Sequence, residues 1–274
     1  MQSLDDIYVS RIKSIRDDVI SNIIDSATTD ITSPYDKEFN WAERLNPIKR
    51  LQVTTIKWCS NWLVGLDKFP FMYVTDGNTD YLVNLFNRTN NIAWKKDDYS
   101  YYQHWHAATG KPYTELTEPT SVDDLLVSWP GYNYGDDTEL NFANQCTAQR
   151  RHLDCAYLGV VKPNSLDVSD YETVGISFSK TLSIPYNRIG VCFSKTEIKD
   201  ISMLNKMGYV NLSGVKLATH IMKHLPPSYF WDTYGGEQLD NLCKKHNLTK
   251  TESILIAYDN EKRVGLAPYW QKND

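Results

Sequence analysis

The sequence predicts an α/β fold with a mostly parallel central sheet. From Phe71 to Phe193, short apolar runs alternate with amphipathic stretches, as parallel strands and their crossover helices do. Gly77, Ser128, Asp154 and Lys180 each fall at or near the end of one such run, and parallel sheets collect binding residues at the carboxyl ends of strands. The composition, 41% hydrophobic and 23% charged over 274 residues, is that of a globular chain able to bury a sizeable core.

Leu4 to Ser26 carries isoleucines and valine at helical spacing and is expected to form an amphipathic helix. Thr28 to Pro47 is loop-like, with Ser33-Pro34-Tyr35 as a turn, and Pro47 to Leu66 is helical. Phe71 to Val74 is a strand ending at Asp76-Gly77-Asn78, and Thr79 to Phe86 resumes as helix. Ile92 to Trp94 is the next strand. Tyr99 to Thr109 is a helix that stops at Gly110. Leu125 to Ser128 is a strand running into the turn-rich Trp129-Pro130-Gly131-Tyr132-Asn133-Tyr134-Gly135, and Asp136 to Arg150 is expected to be helical. Leu153 to Leu158, Val174 to Phe178 and Ile189 to Phe193 are three further strands. Leu212 to His224 is a helix ended by Pro226-Pro227, and Tyr234 to His246 is another. Ile254 to Tyr258 and Val264 to Ala267 close the chain as strands.

A net charge of −5 supplies no basic footprint for nucleic acid, and no apolar run approaches membrane-spanning length. The five cysteines are scattered without a CxxC pair, so neither a disulfide framework nor a zinc ribbon is expected. Met1 to Ile24 lacks the hydrophobic region of a signal peptide, and a cytoplasmic protein is expected. The pairs His104/His106 and His220/His224 lack a completing acid or thiol and are read as structural, so no metal is expected.

The chemistry concentrates in Ser177-Phe178-Ser179-Lys180, followed eight residues later by Arg188. A lysine at a buried strand end suits imine formation, because burial favours the free amine that attacks a carbonyl. A guanidinium grips a phosphate with two hydrogen bonds, and Ser177 and Ser179 add hydroxyls. Upstream, Asp154 is an anion placed to keep a pyridine nitrogen protonated, and Tyr157 is a hydroxyl donor three residues on. Asp76-Gly77-Asn78 lies between strand and helix, where backbone N–H groups face an anion. Tyr99 is a candidate for stacking on an aromatic ring.

These parts and their order resemble the fold-type-I pyridoxal-phosphate (PLP) enzymes, specifically the class I/II aminotransferases. Asp154-Cys155-Ala156-Tyr157 matches their Asp-x-x-Tyr, and Ser177-Phe178-Ser179-Lys180 with Arg188-Ile189-Gly190 matches their Ser-x-x-Lys block and trailing Arg-x-Gly. The turn Asp76-Gly77-Asn78 resembles their first phosphate loop, and Tyr99 falls where their stacking aromatic sits. The resemblance covers Phe71 to Phe193 and departs from the pattern on either side. The usual Asn-Pro-Thr-Gly is replaced, so Tyr132 or Asn133 must contact the ring oxygen, Asn133 being favoured. Only 94 residues follow Lys180, which implies an abbreviated C-terminal portion.

The resemblance implies a PLP-dependent transferase-like three-layer αβα domain. The expected division is an N-terminal helix and arm (1–50), a PLP-binding large domain (51–205) and a small C-terminal domain (206–274). It also implies pyridoxal 5′-phosphate as cofactor, Lys180 as its Schiff-base lysine, and a homodimer. The expected reaction moves an amino group from a small-molecule amino donor to a 2-oxo acid acceptor. Arg263 resembles in context the arginine for the substrate carboxylate, a surface arginine being the alternative, and Tyr35 resembles a tyrosine that reaches the partner's phosphate. The rival functions are a PLP-dependent decarboxylase or lyase, or a non-catalytic binding module on the same fold.

Overall fold

The structure is a computed structural model and describes residues 12–31 and 41–270. Its helices are α1 (Asp18–Ile31), α2 (Trp41–Cys59), α3 (Asn78–Arg88), α4 (Tyr101–Ala107), α5 (Thr138–Gln145), α6 (Phe178–Thr181), α7 (Lys199–Lys206), α8 (Leu212–His224), α9 (Tyr229–Tyr234), α10 (Glu237–Lys245) and α11 (Ala267–Trp270). Its strands are β1 (Leu63–Val64), β2 (Phe71–Thr75), β3 (Ile92–Lys95), β4 (Tyr113–Leu116), β5 (Ser121–Ser128), β6 (Thr147–Cys155), β7 (Leu166–Asp167), β8 (Thr173–Ser177), β9 (Gly190–Ser194), β10 (Thr249–Lys250), β11 (Ile256–Asp259) and β12 (Lys262–Gly265).

Among the described residues the main sheet has the order β2-β9-β8-β6-β5-β3-β4. Only β9 runs against its neighbours; the other six strands are parallel to one another. Successive side chains of a strand face opposite sides, and both sides are covered. Val127, Leu153, Val174 and Val191 join the cluster that includes Leu51 of α2, Ala143 of α5 and Val215 of α8. Leu126 and Cys192 join Leu82 and Phe86 of α3, Tyr102 of α4 and Ile201 of α7. Helix, sheet and helix thus form the three layers of a PLP-transferase-like αβα fold.

The register decides where the functional residues stand. Gly190 at the start of β9 pairs with Thr75 at the end of β2 and with Ser177 at the end of β8. Asp154 pairs with Ser128 on one side and Gly175 on the other. The carboxyl ends of β2, β5, β6 and β8 therefore lie along one edge. A separate antiparallel sheet, β10-β11-β12, carries Arg263 opposite Tyr258.

Several expected elements differ. The described part of the N-terminal segment is extended from Ile12 to Asp17, and α1 begins only at Asp18. Ile12 and Ile15 are buried in that extended segment, and the Asp17 carboxylate accepts from the Ile20 N–H as a helix cap. Trp41 to Pro47, expected as loop, is helical, with Pro47 inside α2. Asp136 to Arg150, expected as one helix, is α5 followed by the first half of β6. That half runs past the covered part of the sheet, so Thr147 to Arg150 are largely exposed and lack a strand's apolar signature. The polar edge strand β4 and helix α7 carried no expectation. The helix expected over Tyr234 to His246 is α10, which starts only after Gly235-Gly236, and the preceding helix α9, which ends at Tyr234, carried no expectation. All five cysteines are buried and unpaired. No helix among the described residues is long and apolar enough to cross a membrane.

Candidate active site

Asp154 ends the apolar half of β6 and is 2% exposed. A carboxylate removed from water needs partners, and here it has three. The Asn78 side-chain amide and the Ala156 N–H (3.0 Å) donate to one oxygen, and the Tyr102 hydroxyl donates to the other at 3.0 Å. Burial pushes its pKa up to about 6 despite those donors and the nearby Lys180 ammonium, which favour the anion.

Lys180 sits on α6, the single turn after β8. The Ser177 hydroxyl caps that turn by accepting from the Ser179 N–H at 3.3 Å. The Lys180 amine stands 4.7 Å from the centroid of the Tyr157 ring. Thus Lys180 lies over Tyr157 and close enough to Asp154 to favour its anion, at the carboxyl ends of β6 and β8.

The second cluster is cationic. Arg188 holds a left-handed backbone conformation (φ 42°) before β9, uncommon for a side-chain-bearing residue. Its guanidinium donates to the Asp76 carbonyl at 2.9 Å and the Thr79 hydroxyl at 3.3 Å, so it lies over the turn that opens α3. Gly190 lets β9 approach that turn, since a Cβ there would stand 2.9 Å from the Gly77 Cα. The first N–H groups of α3 have no side-chain cap, and the positive end of the helix faces the guanidinium. Asp80 in the first turn accepts from the Asp76 N–H at 3.3 Å, and burial raises its pKa.

Gly77 has φ +74°, and a Cβ on it would lie 3.3 Å from Nη2 of Arg188. Gly77→Ala should destabilise the fold by about 1–3 kcal/mol through its backbone alone, because φ 74° with ψ −172° is a region that essentially only glycine occupies. It should also displace Arg188. Urea unfolding reads the first effect, and titration with PLP reads the second.

The remaining expected residues are placed as follows. Tyr99 is half-buried, its ring edge-on to Tyr132 at 4.8 Å and to Tyr102 at 5.2 Å. Asn133 turns its amide to the Asp97 carbonyl at 2.6 Å. Tyr132 is the residue of that segment packed against Tyr157, with ring centroids 5.8 Å apart. Arg263 lays its guanidinium over the Tyr132 ring at 3.9 Å and donates to the Tyr132 hydroxyl. Tyr35 lies outside the described residues. Two residues were missed: Tyr102, and the Asn78 side chain as a ligand of Asp154 rather than a backbone donor alone. The spacing Tyr99 to Tyr102, one helical turn, was the available signal for the first.

The residues present fit PLP on observations of this structure. The Ser179 hydroxyl is buried without a hydrogen-bond partner beside the Lys180 turn, as is the Asn78 side-chain oxygen. Arg188, Ser177, Ser179 and the start of α3 form a donor set for a phosphate. Asp154 is a buried anion suited to a ring cation, and Lys180 is an amine suited to an aldehyde.

No protein-family model and no curated protein matches the sequence. Solved structures match the fold. Aspartate aminotransferase from Thermotoga maritima aligns with a TM-score of 0.61 at 13% identity, covering 86% of this chain and 72% of that one. Histidinol-phosphate aminotransferase from Sinorhizobium meliloti, in complex with PLP, aligns with 0.61 at 13% identity, covering 90% and 73%. L-Threonine-O-3-phosphate decarboxylase from Porphyromonas gingivalis aligns with 0.59 at 15% identity, covering 89% and 83%. At these identities the likeness is one of architecture: the chain has the fold of the fold-type-I PLP-dependent enzymes.

Proposed function

We propose that the chain is a PLP-dependent aminotransferase, moving an amino group between an amino acid or related amine and a 2-oxo acid. The observation that carries this reading is the buried Asp154 carboxylate beside the Lys180 amine, with Arg188 folded over the Gly77 turn on the same sheet edge. When bound, PLP supplies an aldehyde for the lysine and a ring that takes up electron density from the substrate α-carbon.

The chain's own residues do the rest. Arg188, Ser177, Ser179 and the α3 N-terminus would hold the phosphate, with Asp76 serving through its backbone carbonyl as the anchor of Arg188. Asp154 is oriented by Asn78, Tyr102 and Ala156 and would hold a proton on the ring nitrogen. Tyr157, packed against Tyr132, would offer its hydroxyl to the ring oxygen, and Tyr99, edge-on to Tyr132, would supply an aromatic face for the ring. The amine of Lys180, once released, takes a proton from the substrate α-carbon and returns it. Arg263, without a carboxylate partner among the described residues, receives the substrate carboxylate. A homodimer completes the reading, carried over from the family resemblance.

A decarboxylase shares this architecture, so the deciding assay offers amino donors to the PLP-loaded protein and then 2-oxo acids. Restoration of the starting spectrum by a 2-oxo acid supports transamination; its failure with every acceptor rejects it. Arg188→Ala should raise the dissociation constant for PLP about 10- to 100-fold, the worth of one or two charge-assisted hydrogen bonds. Spectrophotometric titration of the purified variant checks it.

A further inference from the structure

A cleft of about 800 Å³ opens beside Arg263 and Tyr132, and Tyr132 packs against Tyr157, the ring under the Lys180 amine. Its inner end holds one cation. Arg263 is largely buried, lies on the Tyr132 ring and has no acidic partner among the described residues. Burial lowers its pKa to about 10, so it stays charged at neutral pH.

The rest of the cleft has the opposite character. Asp97, Glu115 and Glu261 line it, and Arg263 is the only lysine or arginine that does so among the described residues. Asp97 and Glu261 are exposed and make no ion pair among the described residues, while Glu115 accepts from Gln103 at 2.6 Å. Asp98 also lines the cleft, its carboxylate taken up by Ser128. Tyr113, exposed and stacked at 4.8 Å on the buried Trp94, and the half-buried Tyr99 supply aromatic surface to the same cleft. Carboxylates and ring faces both attract a cation and repel an anion. The volume exceeds what a short side chain fills.

We infer that this cleft selects an amino substrate with a second, cationic group at its far end, and rejects one with a second carboxylate. The inference rests on the proposed function for the direction in which substrate lies: carboxylate on Arg263, side chain toward Asp97, Glu115 and Glu261.

The test is calorimetric binding of three ligands of equal length, L-lysine, L-norleucine and L-2-aminoadipate, to the PLP-supplemented protein. Lysine should bind roughly 5- to 30-fold tighter than norleucine, the range of one cation–π contact plus a partly exposed charge pair. Aminoadipate should bind more weakly than norleucine. Equal binding of lysine and norleucine, aminoadipate binding as well as lysine, or no binding by any of the three overturns the inference.

Two variants sharpen it without touching the Lys180 pocket. Glu261 is exposed beside the β11–β12 turn, so Glu261→Lys should fold normally and reverse the ranking of lysine and aminoadipate. Asp97 has φ 63°, a conformation asparagine tolerates, so Asp97→Asn should remove the charge alone and cut the lysine preference several-fold. Unchanged ranking in both variants also overturns the inference. The cofactor reading is scored separately, by the visible absorbance PLP acquires on binding a lysine. A protein that ranks the ligands as expected without that absorbance keeps the cleft and loses the cofactor; the reverse result loses the cleft alone.

Discussion

Lys180→Ala should abolish the visible absorbance of the PLP-loaded protein and lower turnover by about 10³-fold or more. The single side chain serves as covalent attachment point and as proton carrier, and each role alone contributes at least about 10². The fold should survive. Alanine is the best helix former, and the turn that carries Lys180 is capped by Ser177, whose hydroxyl accepts from Ser179 rather than from the lysine. Unchanged far-ultraviolet circular dichroism with a lost visible band is the expected pair of results. A variant that keeps the band, or keeps full turnover, removes Lys180 from the chemistry.

That lysine was legible in the sequence because the sheet is parallel and covered on both faces. Strands buried on both sides read as apolar runs, and a hydrophilic residue at the end of such a run stands out: Asp154 after Leu153, Lys180 after Val174 to Phe178. Arg188 was legible for the same reason, as the next charge after Lys180 and the one that stands directly before the apolar run Ile189 to Phe193. What joins these residues was not legible. Asn78 and Asp154 are 76 residues apart, and only the strand order β2-β9-β8-β6 brings α3 over the end of β6. Tyr102 rather than Tyr99 reaches Asp154, because one turn of α4 decides which ring points down at the sheet.

Where neighbours in space are far apart in the chain, local pattern misleads. The isoleucines near the N-terminus have helical spacing, yet Ile12 to Asp17 runs extended against the rest of the molecule. Ser14 donates to the Ser179 carbonyl at 2.7 Å, and Tyr229 (3.1 Å) and Tyr234 (2.7 Å) donate to the Asp17 carboxylate. Those tertiary hydrogen bonds override helical propensity. The start of β6 was missed for the reverse reason, since its exposed half has no apolar face to betray it.

Asp154→Asn should make the cofactor-free protein more stable and the enzyme about 10²- to 10³-fold slower, the loss typical of removing one preorganised charge. The stability gain follows from the direction of the Asp154 shift. Its pKa is about 6 in the folded protein against a reference of 3.8, so folding favours the protonated acid. Stability contributed by that proton is complete below about pH 4 and is lost as pH rises through 6. Near pH 7 the buried anion therefore costs on the order of 3 kcal/mol even with the Lys180 ammonium nearby. Asparagine carries no charge to desolvate, and its amide can donate to the Asn78 side-chain oxygen, which now lacks a partner. The variant should melt roughly 3–8 °C above the parent at pH 7 without PLP, and the gap should close by about pH 4. Glu139, raised by burial to about 7, contributes the same acid-side trend to both proteins, whereas Asp98, raised to about 6 by burial and in part by the Asp154 charge, shifts down in the variant and adds to the gain near pH 7. Adding PLP should shrink the gap or invert it, because a protonated ring nitrogen would give Asp154 a cation in direct contact. Thermal melts of both proteins between pH 4 and 8, with and without PLP, check each part. A variant less stable than the parent at pH 7 without PLP would mean that the three donors already hold the Asp154 anion at no net cost. The site would then be built for a carboxylate whether or not a cation follows.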